Sequence, residues 1–223
     1  MRFVDRRQAG KELAERLRGE VGADAVVVAL ARGGVPVADV VAESLGAPLL
    51  ALTPRKIGHP AQPEYALAAV CGDGPVVMGA GPAGAFDDAG WERAVASARQ
   101  ESRRRSERYG AVAPEIAVTD RTVVLVDDGV ATGLTLRAAI AAMRRAGASR
   151  VVVGIPVAPA ATVARLRAEV DAVVAVWVPE PFPGAVGYAY ARFEQVGDGE
   201  VLQTLGAAQR RWRALASSSI SSS

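Results

Sequence analysis

Apolar and polar positions along this chain follow two periods, one typical of helices and one of strands. Leu13 and Leu17 recur at helical spacing among charged residues, whereas uninterrupted Val-rich runs indicate buried strands. Strands are predicted over residues 25–30, 48–52, 121–126, 151–155 and 173–178, and helices over 9–18, 37–45, 134–145 and 160–169. This alternation predicts an α/β fold with an open, mostly parallel sheet flanked by helices.

The middle of the chain departs from this alternation. Residues 53–60 contain two prolines and are interpreted as a polar loop, and residues 67–71 and 75–78 as a hairpin joined through Gly72-Asp73-Gly74. The Gly/Ala-rich residues 79–90 are expected to be mobile, and residues 88–109 form a long charged helix. We expect one domain over residues 1–216, with a Ser-rich, disordered tail over 217–223.

Composition limits the classes of function. Half of the 223 residues are hydrophobic but only 5% are aromatic, so the core must consist mainly of Val, Ala and Leu. The net charge of +2 and the pI near 9.0 are compatible with local anion sites. No basic face interleaved with aromatic residues is present, so we expect no nucleic-acid partner.

Cys71 is the only cysteine, which excludes an intrachain disulfide and a multi-thiolate metal site. Charged residues appear within residues 1–10, and no apolar run approaches the length of a membrane span. We therefore expect a cytoplasmic protein with no membrane partner.

Two adjacent carboxylates are the strongest candidate for chemistry. Asp127 and Asp128 directly follow the apolar strand at 122–126, at the edge where open α/β sheets bind ligands. Paired acids do not serve the packing of a buried strand. They can accept hydrogen bonds from a vicinal diol and help to retain a hydrated Mg²⁺.

A turn of small residues follows the two acids and opens a helix. Its backbone N–H groups, two Thr hydroxyls and the helix N-terminus converge on one point, as in a phosphate site. The alternative is that small residues only permit tight packing and that Thr serves as an ordinary N-cap. The turn comprises Gly129, Val130, Ala131, Thr132, Gly133, Leu134 and Thr135.

The string from residue 123 to 135 resembles the ribose-phosphate motif of the type I phosphoribosyltransferases, and the resemblance extends over residues 3–205. It implies that Asp127 and Asp128 hold the ribose hydroxyls and Mg²⁺, and that residues 131–135 bind the 5-phosphate. It also implies Mg²⁺-dependent transfer of a phosphoribosyl group from phosphoribosyl pyrophosphate to a small-molecule acceptor. Dimers are usual in the family, which leaves a homodimer open.

Two further segments match positions of the family's pyrophosphate site. The resemblance makes Arg32, Gly33 and Gly34 the pyrophosphate loop, although such a tripeptide is also an ordinary turn. Arg55-Lys56 resembles the basic pair that begins a mobile catalytic loop. The alternative is that these two residues are simply a solvated pair. His59 and the run Arg103-Arg104-Arg105 are better explained as surface residues.

Residues 179–200 resemble the family's hood, which receives the acceptor, and there Phe182 either stacks on a base or packs as an ordinary aromatic residue. Family enzymes for 6-oxopurines carry an acid at the position of Ala131 and a Lys after the strand at 151–155. This sequence has neither, so adenine or a non-purine metabolite is the expected acceptor. The alternative function is a non-catalytic regulator that keeps the fold to sense phosphoribosyl pyrophosphate or a nucleotide.

Overall fold

The computed structural model describes residues 3–81, 84–113 and 116–220, and side chains as far as residue 218. Within this part of the chain the helices are α1 (Arg6–Leu17), α2 (Gly34–Leu45), α3 (Asp88–Gly110), α4 (Leu134–Arg145), α5 (Ala160–Arg167) and α6 (Asp198–Ile220). The strands are β1 (Val26–Leu30), β2 (Leu49–Leu52), β3 (Arg55–His59), β4 (Gln62–Val70), β5 (Val77–Met78), β6 (Thr122–Val126), β7 (Arg150–Val157) and β8 (Ala172–Trp177).

The main sheet has five parallel strands in the order β2-β1-β6-β7-β8. Strand β1 pairs with β6 from Val26 opposite Val123 to Ala29 opposite Val126. The chain runs outward from β1 to β2 and later from β6 to β8, so the strand order reverses between β1 and β6. This reversal is where open α/β sheets bind ligands, and the architecture confirms the predicted fold class.

Side chains of alternate strand residues enter two separate cores. Val27 and Ala29 of β1 pack with α1, α2 and α6 on one face. Val26 and Val28 pack with α4 and α5 on the other, where Leu136, Ile140 and Met143 of α4 are buried. The sheet is therefore covered on both faces, which explains its unbroken Val-rich strands.

A second, antiparallel sheet contains β3, β4 and β5 in that order. The predicted hairpin is present, but the prediction of a polar loop over residues 53–60 was wrong because residues 55–59 form β3. Ile57 is its one strongly apolar residue and is buried, and β3 is held by pairing with β4, from Arg55 opposite Val70 to His59 opposite Gln62. Such a polar strand is specified by its partner strand rather than by its own pattern.

Several helix boundaries differ from the sequence prediction, including the end of α5 at Arg167 instead of residue 169. Helix α1 begins three residues earlier, because the Asp5 side chain accepts a hydrogen bond from the Gln8 N–H at 2.9 Å as an N-cap. Helix α2 begins at Gly34 rather than residue 37, since Pro36 is tolerated in a first turn. Helix α3 starts at Asp88 as predicted and extends to Gly110, one residue beyond the predicted end at residue 109. The predicted mobility of residues 79–90 is not tested, and residues 82–83 lie outside the described residues.

The C-terminal part contains an irregular hood and a long helix that was not predicted. After β8 the backbone is irregular, with one short 3₁₀ helix at Val186–Ala189. Helix α6 follows, with Val201, Leu205 and Ala208 buried on one side. It continues through residues 217–220, so this part of the expected disordered tail is helical, whereas residues 221–223 lie outside the described residues.

None of the helices in the described ranges combines the length and apolar character that a membrane span requires.

Candidate functional site

Two turns that are distant in sequence meet at the carboxyl edge of the main sheet. Strand β1 ends at Leu30 and leads into Arg32-Gly33-Gly34, while its neighbour β6 ends at Val126 and leads into Asp127-Asp128. The parallel pairing of β1 with β6 brings both turns to the same point. The structure thus joins the two motifs that the sequence could place only separately.

Gly33 and Gly34 lie directly against the two carboxylates. A Cβ atom on Gly33 would be 2.1 Å from Asp128 Oδ2, and a Cβ on Gly34 would be 2.7 Å from the Val126 carbonyl oxygen. No other residue type fits at either position without displacing one of the turns. The two motifs therefore form one continuous surface.

Asp127 and Asp128 are half-buried and interact with each other. The Asp128 N–H donates to Asp127 Oδ1 at 2.9 Å, and Arg6 Nε donates to Asp128 Oδ2 at 2.8 Å. Burial raises the pKa of Asp127 well above its usual value, and the neighbouring Asp128 charge raises it further. Burial also raises the pKa of Asp128, although Arg6 opposes this effect.

The small-residue turn ends in a helix N-terminus without a side-chain cap. Gly133 adopts a left-handed conformation with φ of 78° and precedes α4. The first intrahelical bond runs from the Arg137 N–H to the Gly133 carbonyl at 2.9 Å, so the N–H groups of the first turn are free for an anion. Ala131 and Thr132 are exposed beside this turn, and Thr135 is half-buried.

The Arg32 turn also precedes a helix. Gly33 is the N-cap of α2 and carries no capping side chain. The Ala31–Arg32 peptide bond is cis. Arg32 Nη1 lies 3.6 Å from Asp198 Oδ1 at the start of α6. Two helix N-termini without a capping side chain thus adjoin the carboxylate pair, together with Arg6 and Arg32.

Asp198 is shared between Arg32 and the end of α3. The Tyr109 hydroxyl donates to Asp198 at 2.7 Å, and Arg108 Nη1 donates at 2.9 Å. The Tyr109 hydrogen bond and the nearby arginines lower the pKa of Asp198. This one carboxylate therefore ties α3 and α6 to the Arg32 turn.

The other predicted basic residues, Arg55 and Lys56, belong to β3, as does His59. Arg55 and Lys56 begin β3, where Lys56 is exposed, and within the described residues neither takes part in a salt bridge; their role stays a prediction. His59 Nδ1 accepts a hydrogen bond from the Ala61 N–H at 3.1 Å, which closes the β3–β4 turn. This hydrogen bond of His59 is local, because the two residues are two positions apart in the sequence.

The cation run on α3 is engaged at the surface. Arg104 and Arg105 both pair with Glu101, at 2.8 and 2.6 Å, and lower the pKa of Glu101 to about 2. Arg103 pairs with Asp73 at 3.2 Å. The expectation that this run is a solvated face agrees with these contacts.

The hood packs on the small-residue turn. A Cβ on Gly129 would be 2.4 Å from Val186 Cγ1 of the 3₁₀ helix, so the turn and the hood approach each other closely. Phe182 is half-buried and packs against the core on the α1, α2 and α6 side of the sheet. Its predicted contact with an acceptor stays a prediction.

Sequence reasoning missed three side chains that support Asp128. Arg6 pairs with its carboxylate, and the guanidinium of Arg6 lies 3.8 Å from the centre of the Phe193 ring. The buried Tyr190 stacks on Phe193, with ring centroids 4.9 Å apart, and its hydroxyl donates to the Asp128 carbonyl. No signal in the sequence separates Arg6 from Arg7.

Within the described residues, no group of three or more acidic, His or Cys side chains is placed to hold a metal ion. Asp127 and Asp128 offer two carboxylate ligands at the site. Any divalent cation held here must therefore take its remaining ligands from water or from a bound substrate.

Comparisons with known proteins agree with this arrangement. The chain is 43% identical over 210 residues to the Mycobacterium tuberculosis protein named "Putative phosphoribosyl transferase Rv0571c" in strain H37Rv, and equally to MT0597 of strain CDC 1551. The match covers 93% of this chain and 47% of each relative. The chain therefore spans about half the length of these curated relatives.

A solved structure covers nearly the whole of both chains. The crystal structure of TT1426 from Thermus thermophilus is 45% identical, with a TM-score of 0.79, and the match covers 93% of this chain and 99% of that one. The family model described as "Phosphoribosyl transferase domain" matches residues 5–183, which include both turns of the site. The chain therefore belongs to the phosphoribosyl transferase domain family.

Proposed function

We propose that this protein transfers a 5-phosphoribosyl group from phosphoribosyl pyrophosphate to a small-molecule acceptor and releases pyrophosphate. The observation that carries the proposal is the contact between the two turns, with Gly33 against the Asp128 carboxylate. A donor with a phosphate at one end and a pyrophosphate at the other needs two anion sites about one ribose apart. The uncapped N-termini of α4 and α2 supply such a pair on either side of two hydroxyl-accepting carboxylates.

The roles of the residues follow from their chemistry. Asp127 and Asp128 accept hydrogen bonds from the ribose 2- and 3-hydroxyls. The backbone of the small-residue turn and its two Thr hydroxyls donate to the 5-phosphate, and Arg32 with the backbone of its turn donates to the pyrophosphate. The phosphate ligands are Gly129, Ala131, Thr132, Gly133, Leu134 and Thr135, and the pyrophosphate ligands are Arg32, Gly33 and Gly34.

The carboxylate pair fits a magnesium ion held jointly with the donor. Arg6 Nε donates to Asp128 Oδ2 and the Asp128 N–H donates to Asp127 Oδ1, so these bonds engage one oxygen of each carboxylate. Mg²⁺ prefers one or two carboxylates together with water and substrate oxygens. When bound, Mg²⁺ supplies positive charge that offsets the charge on the departing pyrophosphate.

The protein's own part in the reaction is positioning and electrostatic stabilisation. Negative charge builds on the leaving pyrophosphate as the bond to ribose C1 weakens, and Arg32 together with the N–H groups of Gly33 and Gly34 stabilises that charge. Holding the phosphate and the ribose hydroxyls fixes C1 towards the acceptor. Arg55 and Lys56 would add positive charge from β3 when the pyrophosphate is bound.

The acceptor is best assigned to adenine or a non-purine metabolite. Ala131 carries no group that could exchange a proton with a purine, and its carbonyl oxygen already accepts a hydrogen bond from Thr162 Oγ1 at 2.6 Å. Neither lysine belongs to the end of β7, since Lys11 is on α1 and Lys56 is on β3. Phe182 in the hood is the candidate ring for stacking on the acceptor.

Turnover with a panel of acceptors tests this assignment. We expect pyrophosphate release with adenine, or with a component of a pooled metabolite extract identified as a new phosphoribosyl adduct by mass. Hypoxanthine and guanine should be slower by several orders of magnitude, because a site that hydrogen-bonds an oxo group owes its selectivity to partners missing here. Efficient use of hypoxanthine or guanine with adenine inert would contradict the assignment.

A further inference from the structure

A cavity beside the Arg32 turn contains a second arginine that no motif of the sequence includes. It has a volume of about 430 Å³ and is lined by Arg6, Arg32, Gly33, Asp128, Phe193 and Gln195. Arg6 comes from the first turn of α1, and Arg32 from the turn after β1. Two guanidinium groups thus line the same cavity next to the carboxylate pair.

Arg6 is fixed in place before any ligand arrives. Its Nε donates to Asp128 Oδ2 at 2.8 Å, its Nη1 donates to the Glu194 carbonyl at 2.8 Å, and its guanidinium stacks on the Phe193 ring. The side chain is only 11% exposed. A side chain held in this way loses little conformational entropy when it binds an anion.

The fixed guanidinium still has hydrogen-bond donors to offer. Nε and Nη1 are occupied, but Nη2 has no acceptor in the described part of the chain. An arginine presents five N–H donors in a planar fork that matches phosphate oxygens. The unused edge of Arg6 is therefore suited to an oxyanion in the cavity.

The acids beside the cavity are each engaged by an arginine. Asp128 is paired with Arg6, and Asp198 lies near Arg32 at 3.6 Å while it also accepts hydrogen bonds from Arg108 and Tyr109. Each acid is thus already paired with an arginine. An incoming pyrophosphate would meet two arginines whose nearest acids are engaged.

We propose that Arg6 is a further ligand of the pyrophosphate group and that this cavity receives it between Arg6 and Arg32. The inference rests on the proposed function and adds a residue that lies outside the family's sequence motifs. Arg6 also joins the two ends of the donor site, since the same guanidinium holds the carboxylate assigned to the ribose. Loss of Arg6 should therefore weaken pyrophosphate binding directly.

Calorimetric titration of inorganic pyrophosphate with Mg²⁺ tests the proposal. We expect Arg6→Gln to weaken pyrophosphate binding by about tenfold or more, which is the effect of losing a hydrogen bond between charged groups. Arg7→Gln is the matched control: Arg7 is the next residue on the helix and pairs with Asp39 at 3.0 Å instead. It should bind pyrophosphate as the wild type does.

Two further variants separate direct binding from indirect effects. Arg6→Lys keeps the charge and should show a smaller loss, and it decides the question if Arg6→Gln does not fold. In an Asp128→Asn background, Arg6→Gln should still weaken pyrophosphate binding. If the loss disappears there, Arg6 acts only by neutralising Asp128 and the proposal is wrong.

The possible failures are distinguishable. Wild-type binding of pyrophosphate with no loss in either Arg6 variant would overturn the role of Arg6 and leave the proposed function standing. A wild-type protein that binds neither pyrophosphate nor phosphoribosyl pyrophosphate would contradict the proposed function and this inference together.

Discussion

Gly33 illustrates how a single hydrogen atom in place of a side chain determines the geometry of the site. The Gly33 backbone occupies the space next to Asp128 Oδ2, where a Cβ atom would be at 2.1 Å. Real Cβ atoms do not approach an oxygen so closely, so any other residue must move the Arg32 turn or the carboxylate. The position is constrained by contact between motifs and not by its own backbone conformation.

Gly33→Ala should therefore impair the reaction more than it impairs the fold. A displacement of about 1 Å between groups that position a substrate can reduce turnover on the order of a hundredfold, whereas overpacking at one position costs about 1–3 kcal/mol of stability. Pyrophosphate release and thermal unfolding measured on the same preparation check both effects.

Gly19→Ala, at a glycine with open space around it, should change neither quantity. Normal turnover in Gly33→Ala would mean that the two turns do not act together.

Single residues also show the limit of what the sequence could predict. The string from residue 123 to 135 singled out both carboxylates and the small-residue turn because its residue types and spacing are specific. Arg6 and Arg7 are chemically identical neighbours, yet Arg6 contacts Asp128 and Arg7 contacts Asp39. Only the three-dimensional path of α1 distinguishes them.

Helix α6 is the element that connects the edge of the fold with the site. It starts at Asp198, which accepts hydrogen bonds from Tyr109 and Arg108 and lies near Arg32. Further along α6, Arg211 pairs with the buried Asp39 of α2 at 2.7 Å. The helix is thus attached to α2 and α3, the two helices that adjoin the Arg32 turn.

The attachment through Asp198 should depend on pH. The Tyr109 hydrogen bond and the arginines lower the pKa of Asp198, so its contribution to stability is fully present above the unfolded pKa of about 3.9. It is lost as the pH falls through the lower folded value. We expect Asp198→Asn to lower Tm on the order of 2 °C at neutral pH, with a difference that shrinks below about pH 4.

Thermal unfolding of the wild type and Asp198→Asn across this pH range provides the measurement. Asp73→Asn serves as a control, because Asp73 is 70% exposed and its pair with Arg103 should contribute little at any pH. A difference between Asp198→Asn and the wild type that grows as the pH falls would contradict the assignment.

The elements differ in how far their sequences determine them. The parallel strands and α4 were predicted closely, because buried Val-rich runs and a helical stripe are strong local signals. Strand β3 was missed because its residues are mostly polar and its structure comes from pairing with β4. Helix α6 carries a readable stripe at Val201, Leu205 and Ala208, but no helix was predicted there, and only the serine-rich residues 217–223 were expected to be disordered.

In the whole molecule, strand order creates the site. The chain forms β1 and β6 far apart in sequence, and the sheet places them side by side with their turns at one edge. The parallel sheet is covered on both faces, so this edge is where polar groups can gather. Val186, in the irregular segment after β8, lies against Gly129 of the small-residue turn.

We propose that Asp127 and Asp128 hold the ribose of phosphoribosyl pyrophosphate during its turnover. The direct measurement is pyrophosphate release from this donor with Mg²⁺ and the best acceptor of the panel, by the wild type and by the Asp127→Asn, Asp128→Asn double variant, with Tm recorded for both. We expect release by the wild type and a loss of at least a hundredfold in the double variant.

The Tm of the double variant should not fall greatly, because burial raises the pKa of both carboxyls and their charges therefore cost stability. Full activity in the double variant would contradict the claim, and donor binding without release by the wild type would identify a sensor of the donor instead of an enzyme.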